Sequence, residues 1–349
     1  MNKVNSKGRL LELDALRGLA ALAVVIFHYT TKYDELFGHE KSTYLGFEYG
    51  YLGVNLFFMI SGFVIFMTLT KIDSVKEFFK RRALRLYPAY IVAVIITFVA
   101  VKVYDLKGRG VSLSDAIVNL TMLQGHLLIP HVDGAYWSLT VELTFYIIMG
   151  FFLYLGLSKR IAVVSILWLA VSVAIMVISN IANHRLTTFI EYLSISNYSH
   201  LFIAGIMFYL VRQKGQVKYH LIILACLVYE YVFIDINSNI IVTIFFMLFY
   251  LLINNKLSFL NVKPFVFLGG ISYSFYLVHQ NLGYIIINIM EKYGLVSEVF
   301  LIIPITISIG LATILTYYVE HPIQKMYSNK SKSKIVKVRA PKINHGTEQ

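Results

Sequence analysis

The sequence predicts an all-α fold, a polytopic membrane helix bundle of about ten transmembrane helices with both termini in the cytoplasm. Three observations support this class. The 349 residues are 58% hydrophobic and only 14% charged, which is far more apolar than a soluble domain of this length requires. Long apolar runs recur along the chain, and basic residues gather at alternate ends of successive runs. The net charge of +12 is spread over short loops, so we expect a lipid bilayer as partner and no nucleic acid.

Ten apolar segments, each bounded by polar or charged residues, account for the predicted spans. They are 11–30, 51–70, 87–104, 136–157, 161–180, 197–212, 219–235, 239–254, 271–290 and 297–319. A helix needs roughly 20 residues to cross the hydrocarbon core of a bilayer, and most segments approach that length. The segment 239–254 and the segment that begins near 197 are short enough to be interfacial or re-entrant instead.

Positive charge identifies the cytoplasmic side of the predicted bundle. One set of loops carries dense basic clusters, at 3–9, 71–85, 159–160, 212–218, 256–263 and from 325 onward. The opposite loops contain only a few basic residues, and these are interspersed with aspartate and glutamate. Because Lys and Arg favour the cytoplasmic side of short loops, both termini are predicted to lie inside. We divide the chain into a transmembrane domain, 1–323, and a basic tail, 324–349, that we expect to be disordered or to lie against anionic lipid.

The first apolar segment carries charged and polar residues that are costly to place in hydrocarbon. Arg17 and His28 are eleven positions apart, so a helix returns them to nearly the same face, separated by roughly 16 Å along its axis. Arg17 alone could snorkel to the headgroups, and His28 alone could be an interfacial histidine. Together with Asp14, which can pair with Arg17 at a spacing of three, they suggest the lining of a polar cavity.

Two further stretches lie around the second span. Ser61 and Gly62 either let neighbouring helices approach closely or leave space beside a bound acyl chain. After the span, Arg82 and Arg85 share one side of a helix, just before Pro88. This pair is either an ordinary positive-inside anchor or a phosphate-binding fork, for which the guanidinium geometry is suited.

The fourth predicted span contains a carboxylate with apolar neighbours. Tyr136 and Trp137 at its outer end are typical of an interfacial aromatic belt. Glu142 lies roughly two turns further in, where a carboxylate needs a partner. Its predicted depth in the outer half allows contact with His28, and a carboxylate that orients a histidine is the arrangement of general-base catalysis.

Three remaining features complete the candidate set. The outer loop 105–135 combines glycines with His126, His131 and Asp133, a composition suited to a ligand-facing loop. His279 in the ninth span is, taken alone, most simply a buried, hydrogen-bonded histidine. The motif 320–322, Glu-His-Pro, is expected to end the last span, with proline breaking the helix.

In this order along the chain, the motifs resemble those of the acyltransferase-3 family. They are Arg17 with His28, Phe57-Phe58 before Ser61-Gly62-Phe63, Arg82 with Arg85, Trp137-Ser138-Leu139 with Glu142 and Phe145-Tyr146, 272–277 with His279, and 320–322. The resemblance covers residues 10–323. It implies an integral membrane acyltransferase of the bacterial cytoplasmic membrane that modifies surface carbohydrates, among other acceptors.

The resemblance also implies an acyl-CoA donor, usually acetyl-CoA, on the cytoplasmic side and a hydroxyl acceptor on the outer side, such as capsule, exopolysaccharide or O-antigen. It implies that Arg17 and His28 are essential and that Arg82 and Arg85 assist donor handling. Some relatives carry an additional extracytoplasmic hydrolase-like domain, which we do not expect here because the sequence ends soon after its tenth segment.

These inferences assign roles to individual residues. The residues expected to be catalytic are His28, Glu142 and Arg17. The residues expected to bind the donor are Arg82, Arg85, Arg17 and Ser61. The residues expected to contact the acceptor are Tyr136, Trp137 and His279. No metal is expected. A transient acyl-His28 intermediate, a transporter or flippase for a surface saccharide, and a noncatalytic partner of a polysaccharide synthase remain alternatives.

Overall fold

The computed structural model describes residues 10–39, 46–182 and 185–327, and these residues form helices and loops without a β-strand. The α-helices are α1 (Leu11–Phe27), α2 (Tyr33–Phe37), α3 (Gly53–Leu69), α4 (Val75–Tyr104), α5 (Leu113–Asn119), α6 (Trp137–Tyr154), α7 (Ile161–Ala182), α8 (Arg185–Ser194), α9 (Ser196–Lys214), α10 (Val217–Phe233), α11 (Ile236–Ile253), α12 (Lys263–Val278), α13 (Gln280–Lys292) and α14 (Ile302–Ile314). The predicted all-α class is therefore confirmed. Most of the predicted basic tail, from residue 328 onward, lies outside the described residues.

Seven helical stretches of the described chain are long and apolar enough to cross a membrane. They are Glu48–Leu69, Val75–Tyr104, Gly134–Tyr154, Leu157–Ile181, Phe189–Lys214, Ile236–Ile253 and Glu298–Tyr327. The other three predicted spans are helical but shorter or interrupted. α1 and α10 each have 17 residues, and the span 271–290 is divided between α12 and α13 at His279. The polytopic bundle is confirmed, and the count of ten spans stays a prediction.

α1 lies at the centre of the fold, where glycines allow very close contact with its neighbours. A side-chain carbon added at Gly18 would lie 2.6 Å from the backbone nitrogen of Gly269 in α12. One added at Gly269 would lie 2.0 Å from the backbone oxygen of Asp14. α3 meets α9 in the same way, because a carbon added at Gly62 would lie 2.2 Å from the oxygen of Phe202. Small residues of this kind let membrane helices pack backbone against backbone.

Three irregularities in the helices coincide with residues that the sequence singled out. α1 continues into a π-helical turn, His28–Lys32, and a second π-helical turn, Leu315–Glu320, follows α14. The third is the junction of α12 and α13 at His279. Turns of the π type occur frequently at functional sites.

The expected helix stop at residues 320–322 is wrong. The chain remains helical to Tyr327, and Pro322 is the second residue of the α-helical stretch that follows the π-helical turn. Pro322 directly follows the π-helical turn, where the regular α-helical hydrogen-bond pattern is already interrupted, so the helix continues past it.

Candidate active site

An inner cavity lies among α1, α3, α4, α6 and α12. Its polar lining includes three arginines, a carboxylate and several hydroxyl groups, among them Arg17, Ser61, Arg82, Arg85, Glu142 and Tyr146. Its apolar lining includes Phe57, Ile60, Val64 and Leu139. The structure therefore gathers all four residues expected to bind the donor around one space, together with Glu142.

Glu142 belongs to this cavity and does not contact His28, so the predicted Glu142–His28 contact is wrong. One oxygen of Glu142 accepts hydrogen bonds from the Ser61 hydroxyl at 2.7 Å and from the Tyr146 hydroxyl at 2.5 Å. The guanidinium of Arg82 lies over the Tyr146 ring, 5.9 Å from its centre. Ser61 on α3 and Tyr146, one turn further along α6, thus hold the Glu142 carboxylate in the inner cavity, whose lining contains the arginines and not His28.

The three arginines leave the inner cavity with an excess of positive charge. Arg85 forms an ion pair with Glu320 and lies over the Tyr273 ring. The Nε of Arg82 is buried and has no hydrogen-bond partner among the described residues. Together with Arg17, the lining of this cavity carries three guanidinium groups and one carboxylate, that of Glu142, because Glu320 contacts Arg85 from outside the lining. Buried charges require partners, so this arrangement favours an anionic ligand.

A second cavity adjoins the first beside the N-terminal halves of α1 and α12. It is lined by parts of α12 and by residues after α14, including Gly269, Gly270, Thr316, Tyr317, His321 and Gln324. Arg17 and Arg85 line both cavities and therefore stand between them.

His28 and His279 form a hydrogen-bonded pair where α1 ends and α12 meets α13. The Nδ1 of His28 lies 2.9 Å from the backbone oxygen of Val24 and 3.1 Å from the Nε2 of His279. The Nδ1 of His279 lies 2.8 Å from the backbone oxygen of Tyr276. The structure thus places two residues that the sequence assigned to different roles in direct contact.

The contacts of the pair determine which ring nitrogens carry hydrogen when both rings are neutral. A carbonyl oxygen can only accept, so each Nδ1 must donate, His279 to Tyr276 and His28 to Val24. The single Nδ1 hydrogen of His28 is then shared between the backbone oxygen of Val24 and the Nε2 of His279, which carries no hydrogen. This assignment leaves the Nε2 of His28 unprotonated and without a partner among the described residues, on a half-buried side chain. Such a nitrogen can act as a base.

Tyr276 connects the histidine pair with the inner cavity. It lines that cavity, and its ring centre lies 5.4 Å from that of His279. Its hydroxyl is 2.7 Å from the Ser138 hydroxyl and donates to the backbone oxygen of Ala135. A group bound in the cavity is therefore separated from the histidines by the Tyr276 ring.

Residues of the outer loop 105–135 surround the histidine pair, and the sequence did not predict their individual contacts. The Nε of Arg109 donates to Asn281 at 3.0 Å, and its guanidinium lies over the Tyr284 ring, which neighbours His28. Asp133 accepts a hydrogen bond from the backbone N–H of Asn281, and burial raises the pKa of its carboxyl. The loop composition was the only sequence signal for these contacts.

Tyr136 and Trp137 pack inside the bundle. Tyr136 is fully buried, and its hydroxyl donates to the backbone oxygen of Leu277 at 3.0 Å. The Trp137 ring lies against Tyr198 and Phe58, at 5.5 and 6.3 Å between ring centres. The expected contact of both residues with an acceptor stays a prediction. Within the described ranges, no three His, Cys, Asp or Glu side chains are grouped so that they could hold a metal ion.

Several known proteins are similar to part of this chain. The chain is 31% identical over 179 residues to the Acyltransferase MdmB of Streptomyces mycarofaciens, covering 49% of this chain and 45% of that protein. It is 28% identical over 194 residues to the Putative peptidoglycan O-acetyltransferase YrhL of Bacillus subtilis (strain 168), covering 48% and 28%. It is 29% identical over 150 residues to the O-acetyl transferase of Shigella phage Sf6, covering 39% and 44%. Each alignment covers less than half the length of the relative.

No solved structure matches the chain. A comparison with protein families covers far more of the chain than these relatives do. The sequence model of the family described as Acyltransferase domain matches residues 10–321, which include the inner cavity, the lining of the second cavity except Gln324, and the histidine pair. The chain therefore belongs to the acyltransferase-3 family of membrane proteins, as the resemblance of its motifs implied.

Proposed function

We propose that the protein is a membrane O-acyltransferase that moves an acyl group, most simply acetyl, from acyl-CoA to a hydroxyl of a cell-surface carbohydrate. The observation that carries the proposal is the presence, within one acyltransferase domain, of a cationic cavity and, across the Tyr276 ring from it, a histidine whose Nε2 has no partner among the described residues. The names of YrhL and the phage protein support O-acetylation as the reaction. Family membership favours acyl transfer over the alternative of a transporter or flippase.

The donor would bind through its phosphates and its extended arm. Arg17, Arg82 and Arg85 offer forked N–H groups that match phosphate oxygens. The apolar lining of the inner cavity suits the uncharged arm that leads to the thioester. Arg17 and His28 are separated by roughly 16 Å of helix, so phosphates near Arg17 place the thioester toward the histidine pair.

The histidine pair would perform the transfer. The Nε2 of His28 removes the proton of the acceptor hydroxyl, whose oxygen attacks the thioester carbonyl carbon. The carbon–sulfur bond then breaks, and the departing thiolate of CoA takes the proton back from His28. His279 accepts the Nδ1 hydrogen of His28 and thereby holds the ring while it is charged. In the covalent alternative the same Nε2 attacks the thioester and carries the acyl group.

The role of Glu142 and the orientation of the protein in the membrane follow if the arginines bind the donor and the histidine pair transfers the acyl group. Glu142 would hold Ser61 and Tyr146 beside the arginines and take no part in orienting His28. The basic ends of the helices would face the cytoplasm, where acyl-CoA is made, and the histidine pair and the loop 105–135 would face the acceptor on the outer side of the bacterial cytoplasmic membrane.

The test is label transfer from radiolabelled acetyl-CoA in membranes, followed by extraction of surface polysaccharide. The variant His28→Asn keeps a donor near the position of Nδ1 and removes Nε2, so we expect transfer to fall by roughly 100-fold or more. The matched control is His220→Asn, because His220 lies on α10 against Tyr250, away from both cavities. Full transfer by His28→Asn, with the wild type active, would contradict the proposal.

A further inference from the structure

Glu320 holds one of the two arginines that stand between the cavities. Its carboxylate forms the ion pair with Arg85, and its side chain is fully buried. It is the last residue of the π-helical turn Leu315–Glu320, of which Thr316 and Tyr317 line the second cavity. Arg85 therefore carries a carboxylate at the boundary that a ligand occupying both cavities has to cross.

The surroundings of Glu320 keep its carboxylate in place without neutralising it. The Nε2 of Gln324 donates to one oxygen at 3.2 Å, and the hydroxyl of Ser274 donates to the other at 3.5 Å. Thr316 in turn donates to the Ser274 hydroxyl at 3.0 Å. These neutral donors leave Arg85 as the cation that balances the charge of Glu320.

We propose that Glu320 occupies the anion position of Arg85 in the resting protein and that a phosphate of the donor replaces it. The inference rests on the proposed acyl-CoA donor and adds a specific competitor for it. The donor's arm would then lie in the inner cavity, its nucleotide end in the second cavity, and its phosphates between them at Arg17 and Arg85.

In such an exchange Arg85 keeps an anionic partner, and the displaced Glu320 carboxylate keeps its neutral donors, Gln324 and Ser274. Removing the partner of a buried arginine is costly because the charge is left uncompensated. Replacing a carboxylate by a phosphate keeps Arg85 paired throughout, since both anions fit the same guanidinium fork. Glu320 therefore excludes ligands that lack a strong anion at this position and admits those that carry one.

The donor can bind only to molecules in which the Arg85–Glu320 pair is open. Its apparent Kd is therefore the intrinsic Kd divided by the fraction of molecules in that open state. If Arg85 is paired with Glu320 in about nine molecules of ten, removing the competing carboxylate lowers the Kd for an anionic ligand by about tenfold. A purely structural role for Glu320 predicts the opposite sign, because Arg85 would lose its support and bind the ligand less well.

The experiment measures binding of CoA to the purified full-length protein in detergent by calorimetry. Glu320→Gln keeps the size and hydrogen-bonding capacity of the side chain, and we expect a Kd about tenfold lower than that of the wild type. The matched control is Glu77→Gln, which breaks the exposed Glu77–Arg81 pair outside both cavities and should leave the Kd unchanged. Pantetheine, which lacks the phosphates, should bind both proteins equally.

A second variant covers the case in which Glu320→Gln fails to fold. Gln324→Ala removes one hydrogen bond to the carboxylate and should lower the Kd for CoA by a smaller factor. Adenosine 3′,5′-bisphosphate should compete with CoA in the wild type. An equal or higher Kd in the folded Glu320→Gln or Gln324→Ala variant overturns the competitor role, and absence of competition overturns the placement of the nucleotide end. Failure of the wild type to bind CoA at all overturns the proposed donor instead.

Discussion

Two acceptors orient the ring of His28, the backbone oxygen of Val24 and the Nε2 of His279, and both contact its Nδ1. The backbone oxygen of Tyr276 fixes the hydrogen of His279 on Nδ1, and the resulting acceptor Nε2 points at His28. The backbone of His279 is itself held, because its oxygen accepts a hydrogen bond from the fully buried Tyr29 at 2.8 Å. The basic nitrogen of His28 is thus positioned by a residue 251 positions away in the sequence.

The variant His279→Leu tests this positioning role. Loss of this acceptor leaves the His28 ring held by the Val24 oxygen alone and therefore less well oriented, so we expect kcat to fall by at least roughly tenfold while the KM for acetyl-CoA stays unchanged. Initial rates of label transfer at varied donor concentration separate the two parameters. His279→Gln should restore part of kcat because its amide oxygen can accept the same hydrogen bond. An equal loss in the Leu and Gln variants would contradict the role.

Among the elements, α1 and α12 fix the distance between the arginines and the histidines. Their backbones meet at Gly18 and Gly269, so Arg17 of α1 and the residues of α12 that line the cavities are held by main-chain contact. α12 then ends at His279, which meets His28 just beyond the end of α1. The same helix pair therefore positions both parts of the candidate site.

Two adjacent glycines of α12 provide a matched test of this contact. The variant Gly269→Ala places a carbon 2.0 Å from the backbone oxygen of Asp14, whereas the carbon added by Gly270→Ala meets nothing within 4 Å. We expect Gly269→Ala to lower the melting temperature by several degrees and to reduce transfer. Gly270→Ala should be neutral or stabilising by up to about 1 kcal/mol through helix propensity. Equal melting temperatures for the two variants would refute the contact.

For the molecule as a whole, the sequence predicted what is local and missed what depends on packing between helices. The apolar composition predicted the helix bundle, and helical spacing predicted that Arg82 and Arg85 share a face toward one cavity. The contact of Glu142 with Ser61 could not be predicted, because α3 and α6 are brought together only by tertiary structure. The pairings of His28 with His279 and of Arg85 with Glu320 join residues more than two hundred positions apart for the same reason.

The orientation of the bundle in the membrane is a prediction from its loop charges. Cys226 is the single cysteine and is buried, so new cysteines can be labelled selectively. A membrane-impermeant maleimide added to intact cells should label Lys107→Cys in the outer loop and leave Lys71→Cys unlabelled until the cells are opened. The reverse pattern would place the arginine cavities on the wrong side for a cytoplasmic donor.

The central claim is that the arginines of the inner cavity bind the donor while the histidine pair performs the transfer. Measuring CoA binding and acetyl transfer on the same purified variants tests it most directly. We expect His28→Asn to bind CoA with the wild-type Kd while its transfer falls by roughly 100-fold or more. Arg82→Gln should raise the Kd by roughly tenfold, because it removes a charged partner of a phosphate. A His28→Asn variant that loses CoA binding in proportion to transfer, or an Arg82→Gln variant that binds CoA normally, would contradict this division.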